Sequence, residues 1–143
     1  IMANQFSPQP SKEEIYTKLS THATNWLINN LNKLPTPIPQ DDNKATYTTK
    51  FDTSMSNLDL KKPSQALLNQ IRAFQGFPKS KLTIKNQECI ILAAHLDTNS
   101  TNDQRAKVKI TCGDHQNIVI DRLQPAGRKA MDAISFYNGY LKK

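Results

Sequence analysis

Arg128 and Lys129 are the residues whose types and spacing best suit a chemical role, because they stand as neighbouring cations beside residues that shape the backbone. Pro125 fixes its own φ at about −65°, and Gly127 can adopt a positive φ without a Cβ clash. Residues 123–131 therefore predict a rigid bend that presents both cations in a narrow range of directions. Fixed cations of this kind bind anions such as phosphate, and the alternative is a solvated turn with two ordinary surface charges.

The basic charge of the chain is concentrated in its second part. The 143 residues carry 19 Lys and Arg against 12 Asp and Glu, which gives a net charge of +7. Residues 1–42 carry 3 basic and 4 acidic side chains, whereas residues 43–143 carry 16 and 8, so the net charges are −1 and +8. A basic region of this kind is typical of polyanion binding, although basic surfaces also serve solubility.

The sequence shows no pattern of catalytic or metal-binding residues. His22, His95 and His115 have no Ser, Cys or carboxylate at a suggestive spacing, so we expect surface or capping roles for them. Glycine-rich phosphate loops, paired-carboxylate motifs and metal-ligand clusters are not found in the sequence either. We therefore expect no catalytic, cofactor-binding or metal-binding residue in this chain, and a function in binding.

The cysteines and the hydropathy pattern indicate a cytoplasmic protein. Cys89 and Cys112 fall in apolar or alternating segments and predict buried, reduced thiols, with a disulfide as the minor alternative. Neither the roughly 20 apolar residues of a membrane span nor a secretory leader is present. Ile1 precedes Met2, which suggests an excised fragment or a vector remnant.

Residues 1–42 predict a helix followed by a proline-rich linker. Ser11 and Glu14 form a capping box, and Pro35 begins a run of prolines that ends a helix running to about Lys33. Apolar residues recur at spacings of three and four along this helix: Ile15, Leu19, Ala23, Trp26, Leu27, Leu31 and Leu34. An exposed apolar stripe needs a covering surface, so we expect the helix to dock on the rest of the chain or on a second copy of it.

Residues 43–143 predict an α+β, mainly β domain. A helix begins near Pro63 and closes at Gly76, with Leu67, Leu68, Ile71 and Phe74 on its apolar face. Period-two alternation predicts strands around residues 82–84, 89–96, 106–112 and 118–123, and residues 97–103 predict a polar loop. A last helix is capped by Asp132 and has Ile134, Tyr137 and Leu141 on one side. Short strands with one interleaved helix indicate a small barrel.

Four segments of the chain form a recognisable set: residues 36–41 with 45–47, residues 71–78, residues 123–131 and residues 136–139. In this order they resemble the interdomain linker, the helix end, the last turn and the closing helix of the C-terminal domain of methionyl-tRNA formyltransferase. The resemblance covers roughly residues 11–140.

The resemblance implies an OB-like barrel that binds initiator tRNA while a separate N-terminal Rossmann-like domain of the same polypeptide performs catalysis. It implies 10-formyltetrahydrofolate as the cofactor of the full-length enzyme and none in this chain. The family carries an additional short strand between the segments matched to Cys89–Leu96 and Val108–Cys112, where this chain has only the polar loop and Arg105. We therefore expect a barrel that is one strand short or open on one side.

With this context, six cations are candidate phosphate contacts. They are Lys50, Arg72, Lys107, Lys109, Arg128 and Lys129. For Arg72 the alternative role is a structural ion pair or a hydrogen bond to the turn. For Lys107 and Lys109 the alternative is an ordinary charged strand face. Tyr47 suits base stacking, but packing of the linker is the preferred interpretation.

Two other functions remain open from the sequence. One is a free-standing RNA-binding OB-like module, which would carry no catalytic partner. The other is the C-terminal domain of a nucleotide-sugar formyltransferase, in which the barrel would serve structure or assembly. Specific binding of initiator tRNA would separate the leading interpretation from this last one.

Overall fold

The computed structural model describes residues 10–98 and 107–142. Its backbone forms two compact units, Ile1–Lys50 and Phe51–Lys143. The predicted domain boundary between residues 42 and 43 stays a prediction. Across the described ranges, each helix is too short or too polar to cross a membrane.

The first unit contains helix α1, Lys12–Asn30, and the linker that follows it. Ser11 caps α1 as predicted, because its hydroxyl accepts a hydrogen bond from the Glu14 backbone N–H at 3.1 Å. The helix ends before the predicted Lys33, since the Asn30 side chain donates to the Trp26 carbonyl at 2.7 Å and a tighter turn follows.

The apolar residues of α1 are exposed. No residue of α1 is buried, and Trp26 is 46% exposed. Tyr47 in the linker is 92% exposed, so the interpretation that Tyr47 packs the linker is wrong. Base stacking by Tyr47 stays a prediction.

The second unit is built on an open antiparallel sheet of five strands within the described residues. The strands are β1 Ser80–Ile84, β2 Gln87–Leu96, β3 Lys109–Thr111, β4 Asn117–Pro125 and β5 Met131–Asp132. The order is β1-β2-β4-β3, and β5 pairs with β4 beside the end of β3. The predicted α+β, mainly β class is confirmed, while the two-residue β5 was missed because it is too short to show a period.

The hairpin between β1 and β2 follows from the backbone conformation of its turn. Lys85 and Asn86 have φ values of 44° and 64°, as a two-residue turn between β1 and β2 requires. Gln87 pairs with Ile84 as the first residue of β2. Residues 99–103 of the predicted loop lie outside the described residues. So do Arg105 and the first residue of the next predicted strand, Ala106.

One face of the sheet packs against helix α2, Ser64–Ala73, which presents Leu67, Leu68 and Ile71 to the core as predicted. Cys89 and Cys112 are both free and buried, which confirms the predicted thiols. Burial raises the pKa of each thiol, so both stay protonated and inert near neutral pH.

The C-terminal segment differs from the predicted amphipathic helix. Helix α3 spans only Ala133–Phe136 and continues as a wider π-helical turn, Tyr137–Leu141. Phe136 is fully buried and stacks on Tyr140 with ring centroids 4.9 Å apart. Of the three residues predicted to share one side, Tyr137 and Leu141 are partly buried against the core, whereas Ile134 is 39% exposed. The buried residues of α3 are Ala133 and Phe136.

The start of α2 is capped from across the fold. Pro63 supplies no capping side chain, and Asp114 of the β3–β4 turn accepts hydrogen bonds from the Ser64 backbone N–H at 2.9 Å and from its hydroxyl at 2.8 Å. Burial alone would raise the pKa of Asp114, but the hydrogen bonds from Ser64 and Gln116 outweigh it and hold the pKa below its usual value.

This cap predicts a specific acid sensitivity. The folded pKa of Asp114 lies below the unfolded value of about 3.9, so its contribution to stability is complete above that pH and is lost as pH falls through the folded pKa. We expect Asp114→Asn, which still caps but does not titrate, to flatten the fall of unfolding free energy below about pH 4. Urea unfolding between pH 7 and pH 3 measures this, and an unchanged acid slope would refute it.

Ser64→Ala tests the contribution of the Ser64 hydroxyl to the same cap. It should cost about 1 kcal/mol at pH 7, because the buried Ser64 hydroxyl loses its hydrogen bond to Asp114. Urea unfolding of the variant at pH 7 gives this value directly.

Candidate nucleic-acid interface

The bend that carries Arg128 and Lys129 is fixed by the backbone. The Ala126 N–H donates to the Glu88 carbonyl at 2.9 Å, which fastens the bend to β2. The Arg128 N–H donates to the Pro125 carbonyl at 3.0 Å across a turn in which Gly127 has a φ of 70°. The predicted rigidity at this position is therefore present.

The details of this bend differ from the prediction at Pro125. That residue is buried and pairs with Cys89 as the last residue of β4, so Ala126 and Gly127 form the turn itself. The Gln124 side chain adds a further brace, since its amide donates to the Arg128 carbonyl at 2.9 Å.

The side chains of Arg128 and Lys129 are exposed. Among residues 10–98 and 107–142, no carboxylate lies within ion-pairing distance of either cation. The turn therefore holds two exposed cations that have no ion pair within the described residues.

Lys107 and Lys109 lie at the other end of β4. Lys109 pairs in register with Val119, six residues before Pro125, which corresponds to about 20 Å along the strand. Both lysines are exposed, but the Lys109 ammonium lies 2.7 Å from Oδ2 of Asp97. The structure therefore does not bring this pair together with the turn, and the charge of Lys109 is largely neutralised.

The other two candidates stand in different settings. Arg72 is half-buried in the last turn of α2 and donates to Oδ1 of Asn69, a residue of the same helix. Lys50 is exposed at the end of the first unit.

Two cations that the sequence analysis missed lie in the second unit. Lys79 and Arg122 line a groove with a volume of about 270 Å³, together with the end of α2 and outward residues of β2. Paired bulges near Ala93 and Asp121 interrupt the alternation of β4, so that Asp121 and Arg122 are both exposed. Regular alternation would have buried one of these two side chains. The sequence of β4 by itself therefore did not predict that Arg122 is exposed at this groove.

His95 illustrates a contact that pairing between strands creates. Its Nδ1 lies 2.9 Å and 3.0 Å from the two carboxylate oxygens of Asp121, 26 residues later in the chain. Both side chains are nearly half exposed, at 47% and 42%, so the predicted surface role of His95 is confirmed. Within the described residues, no three His, Cys, Asp or Glu side chains cluster as metal ligands.

Comparison with known proteins identifies the class of this domain. Residues 50–141 match the family model of the formyl transferase C-terminal domain. Methionyl-tRNA formyltransferases from Enterococcus faecalis, Ruegeria pomeroyi and Pseudoalteromonas translucida are each 30% identical to the chain. The alignments cover 97%, 88% and 93% of this chain but only 49%, 43% and 46% of those relatives.

These matches place the mainly β domain of this chain in the class of formyltransferase C-terminal domains. The chain belongs to the formyl transferase C-terminal domain family and corresponds to that domain of methionyl-tRNA formyltransferase. The resemblance inferred from the four sequence segments is confirmed. The chain spans about half the length of the curated relatives that it matches.

Proposed function

We propose that this chain binds initiator tRNA as the C-terminal domain of a methionyl-tRNA formyltransferase, in translation initiation in the cytoplasm. The family membership supports this substrate, as does the likeness to enzymes named methionyl-tRNA formyltransferase. The single observation that carries the proposal is the braced turn with Arg128 and Lys129 exposed and uncompensated.

Phosphate neutralisation is the physical basis of this binding. Each cation that contacts a phosphate releases condensed counterions, which makes log K fall by about 0.7–0.9 per decade of salt. Such contacts orient an RNA without reading its sequence, and they require cations that are fixed and free of carboxylates. Arg128 and Lys129 meet both requirements, and Lys109 meets them less well because of Asp97.

Other parts of the enzyme supply the chemistry in this proposal. Formyl transfer from 10-formyltetrahydrofolate takes place in an N-terminal Rossmann-like domain of the same polypeptide, and this chain holds the tRNA for it. We propose that the sheet derives from an OB-like barrel; in the described residues it is open, with β1 and β3 as the outermost strands of its order.

Titration of the chain with fluorescently labelled initiator tRNA at two ionic strengths tests the proposal. We expect binding that weakens with salt and that exceeds binding to an unstructured RNA of equal length. Equal affinity for both RNAs would favour a free-standing RNA-binding module. Binding to neither would refute RNA binding and favour a structural role, as in a nucleotide-sugar formyltransferase.

The ion pair at Lys109 allows a gain of binding to be predicted. Asp97→Asn removes the carboxylate 2.7 Å from the Lys109 ammonium, which then becomes available to phosphate. We expect the salt slope for tRNA to become steeper by about 0.7–0.9, whereas Lys109→Gln in the unmodified chain changes it little. The double variant should return to the original slope. A slope unaffected by Asp97→Asn would show that Lys109 contacts no phosphate.

The exposed stripe of α1 supports a proposal of self-association through that helix. Leu27 and Leu31 are 49% and 62% exposed, and Trp26 lies beside them in the sequence. Light scattering over a concentration range, with Trp26 fluorescence recorded in parallel, tests it. A strictly monomeric chain with solvent-exposed Trp26 fluorescence would refute it.

A further inference from the structure

The groove beside the turn combines positive charge with an apolar floor. Its charged walls are Lys79 and Arg122, and its apolar lining includes Phe74, Ile90 and Leu92. Ile90 and Leu92 are half-buried, so the floor is partly open to solvent. Its volume of about 270 Å³ lies just below the roughly 300 Å³ at which pockets for small ligands begin.

Among the described residues, Arg122 is not ion-paired with the carboxylates beside it, which accept hydrogen bonds from other donors. Asp121, adjacent in the chain, accepts from His95, and Asp132, opposite in register, accepts from the backbone and hydroxyl of Ser135 at 2.7 Å and 3.0 Å. Among the described residues, neither Arg122 nor Lys79 has a carboxylate within ion-pairing distance.

The groove and the cationic turn lie at the same end of β4. Arg122 stands two residues before Gln124, whose side chain holds the carbonyl of Arg128. Gln124 pairs in register with Ile90, one of the residues that line the groove. An RNA strand bound at the turn therefore has its next contacts at the groove.

A duplex does not suit this groove, because its base faces are stacked inside and it presents only its backbone, 2′-hydroxyls and base edges to a protein surface. An unpaired nucleotide presents a phosphate and an apolar base face together, which matches charged walls over an apolar floor. We infer that the groove binds one unpaired nucleotide of the RNA, with Lys79 and Arg122 at its phosphate and the floor under its base. The inference rests on the proposed RNA binding and adds a site to it.

Two variants of the full chain separate the parts of this site. Lys79→Asn with Arg122→Gln removes both charges, and Asn tolerates the φ of 70° at position 79. Ile90→Thr leaves the charge unchanged, keeps a β-branched residue in the strand and makes the floor polar. Lys61→Gln with Lys62→Gln is the charge-matched control, since both lysines are exposed just before the opposite end of α2.

The probes are a blunt RNA duplex and the same duplex with a short single-stranded extension that contains 2-aminopurine. We expect the unmodified chain and the control to bind the extended probe about fivefold tighter than the blunt one, with a change in 2-aminopurine emission. Both groove variants should lose this preference, and Ile90→Thr should do so without a change in salt slope. Initiator tRNA is titrated in parallel with each protein.

The outcomes distinguish this inference from the proposed function. If initiator tRNA binds the unmodified chain but the extension gives no preference, or the groove variants keep it, the groove inference is overturned and the proposed function stands. If no RNA binds the unmodified chain, the proposed function fails and the groove inference fails with it.

Discussion

Gly113→Ala is expected to destabilise the second unit by about 3 kcal/mol, because the new methyl group has no space. A Cβ built on Gly113 would overlap the carbonyl carbon and oxygen of Lys61 and would approach the Lys61 Cα to 3.1 Å. These are backbone atoms, so no side-chain rotation can relieve the overlap. Either the β3–β4 turn or the segment before α2 must move.

The contact at Gly113 also connects two hydrogen bonds that hold the fold together. The Gly113 N–H donates to the Lys62 carbonyl at 3.0 Å, and Asp114, the next residue, caps α2 at Ser64. A displaced turn would weaken both, so we expect the loss to appear as a fall in the melting temperature of about 12–24 °C.

Gly139→Ala is the matched control for this prediction. Its new Cβ would meet no atom within 4 Å, so we expect the free energy of unfolding to stay unchanged or to rise by up to about 1 kcal/mol. Urea unfolding of the two variants side by side measures the contrast. Equal stability of both would show that the backbone around Lys61 yields at little cost.

Much of the fold could be predicted because it depends on local patterns. Ser11 with Glu14 marked the start of α1, and the apolar face of α2 showed the spacing of a helix. The alternation of Val108, Lys109 and Ile110 gave the outward direction of Lys109 correctly. Each of these signals is set by neighbours within about four residues, so the sequence displays it directly.

The features that could not be predicted arise where distant segments meet. Asp114 caps a helix that begins 50 residues earlier, and Asp121 pairs with His95 across two strands. Arg122 faces a groove because paired bulges change the alternation of β4. Periodicity along one strand carries no information about such bulges, so the sequence identified the turn but not the groove beside it.

Removing both charges from the turn should produce the largest effect on RNA binding. If the domain binds tRNA as proposed, Arg128→Gln with Lys129→Gln removes two phosphate contacts, each worth about 0.7–0.9 in the salt slope of log K. We therefore expect the slope for initiator tRNA to fall by about 1.4–1.8, and the affinity to drop about 25-fold to 60-fold at 0.1 M salt. Fluorescence titration of labelled tRNA at three or more salt concentrations gives both quantities.

The control must separate the position of these charges from their number. Lys61→Gln with Lys62→Gln removes the same net charge from two other exposed lysines, and we expect it to weaken binding far less. Both proteins should unfold at the urea concentration of the unmodified chain, since the backbone braces from Gln124 and Pro125 do not involve the Arg128 or Lys129 side chains. If the turn variant keeps its affinity and slope, or if the control loses as much, the braced turn is structural. The RNA contacts of this domain would then lie elsewhere on the chain.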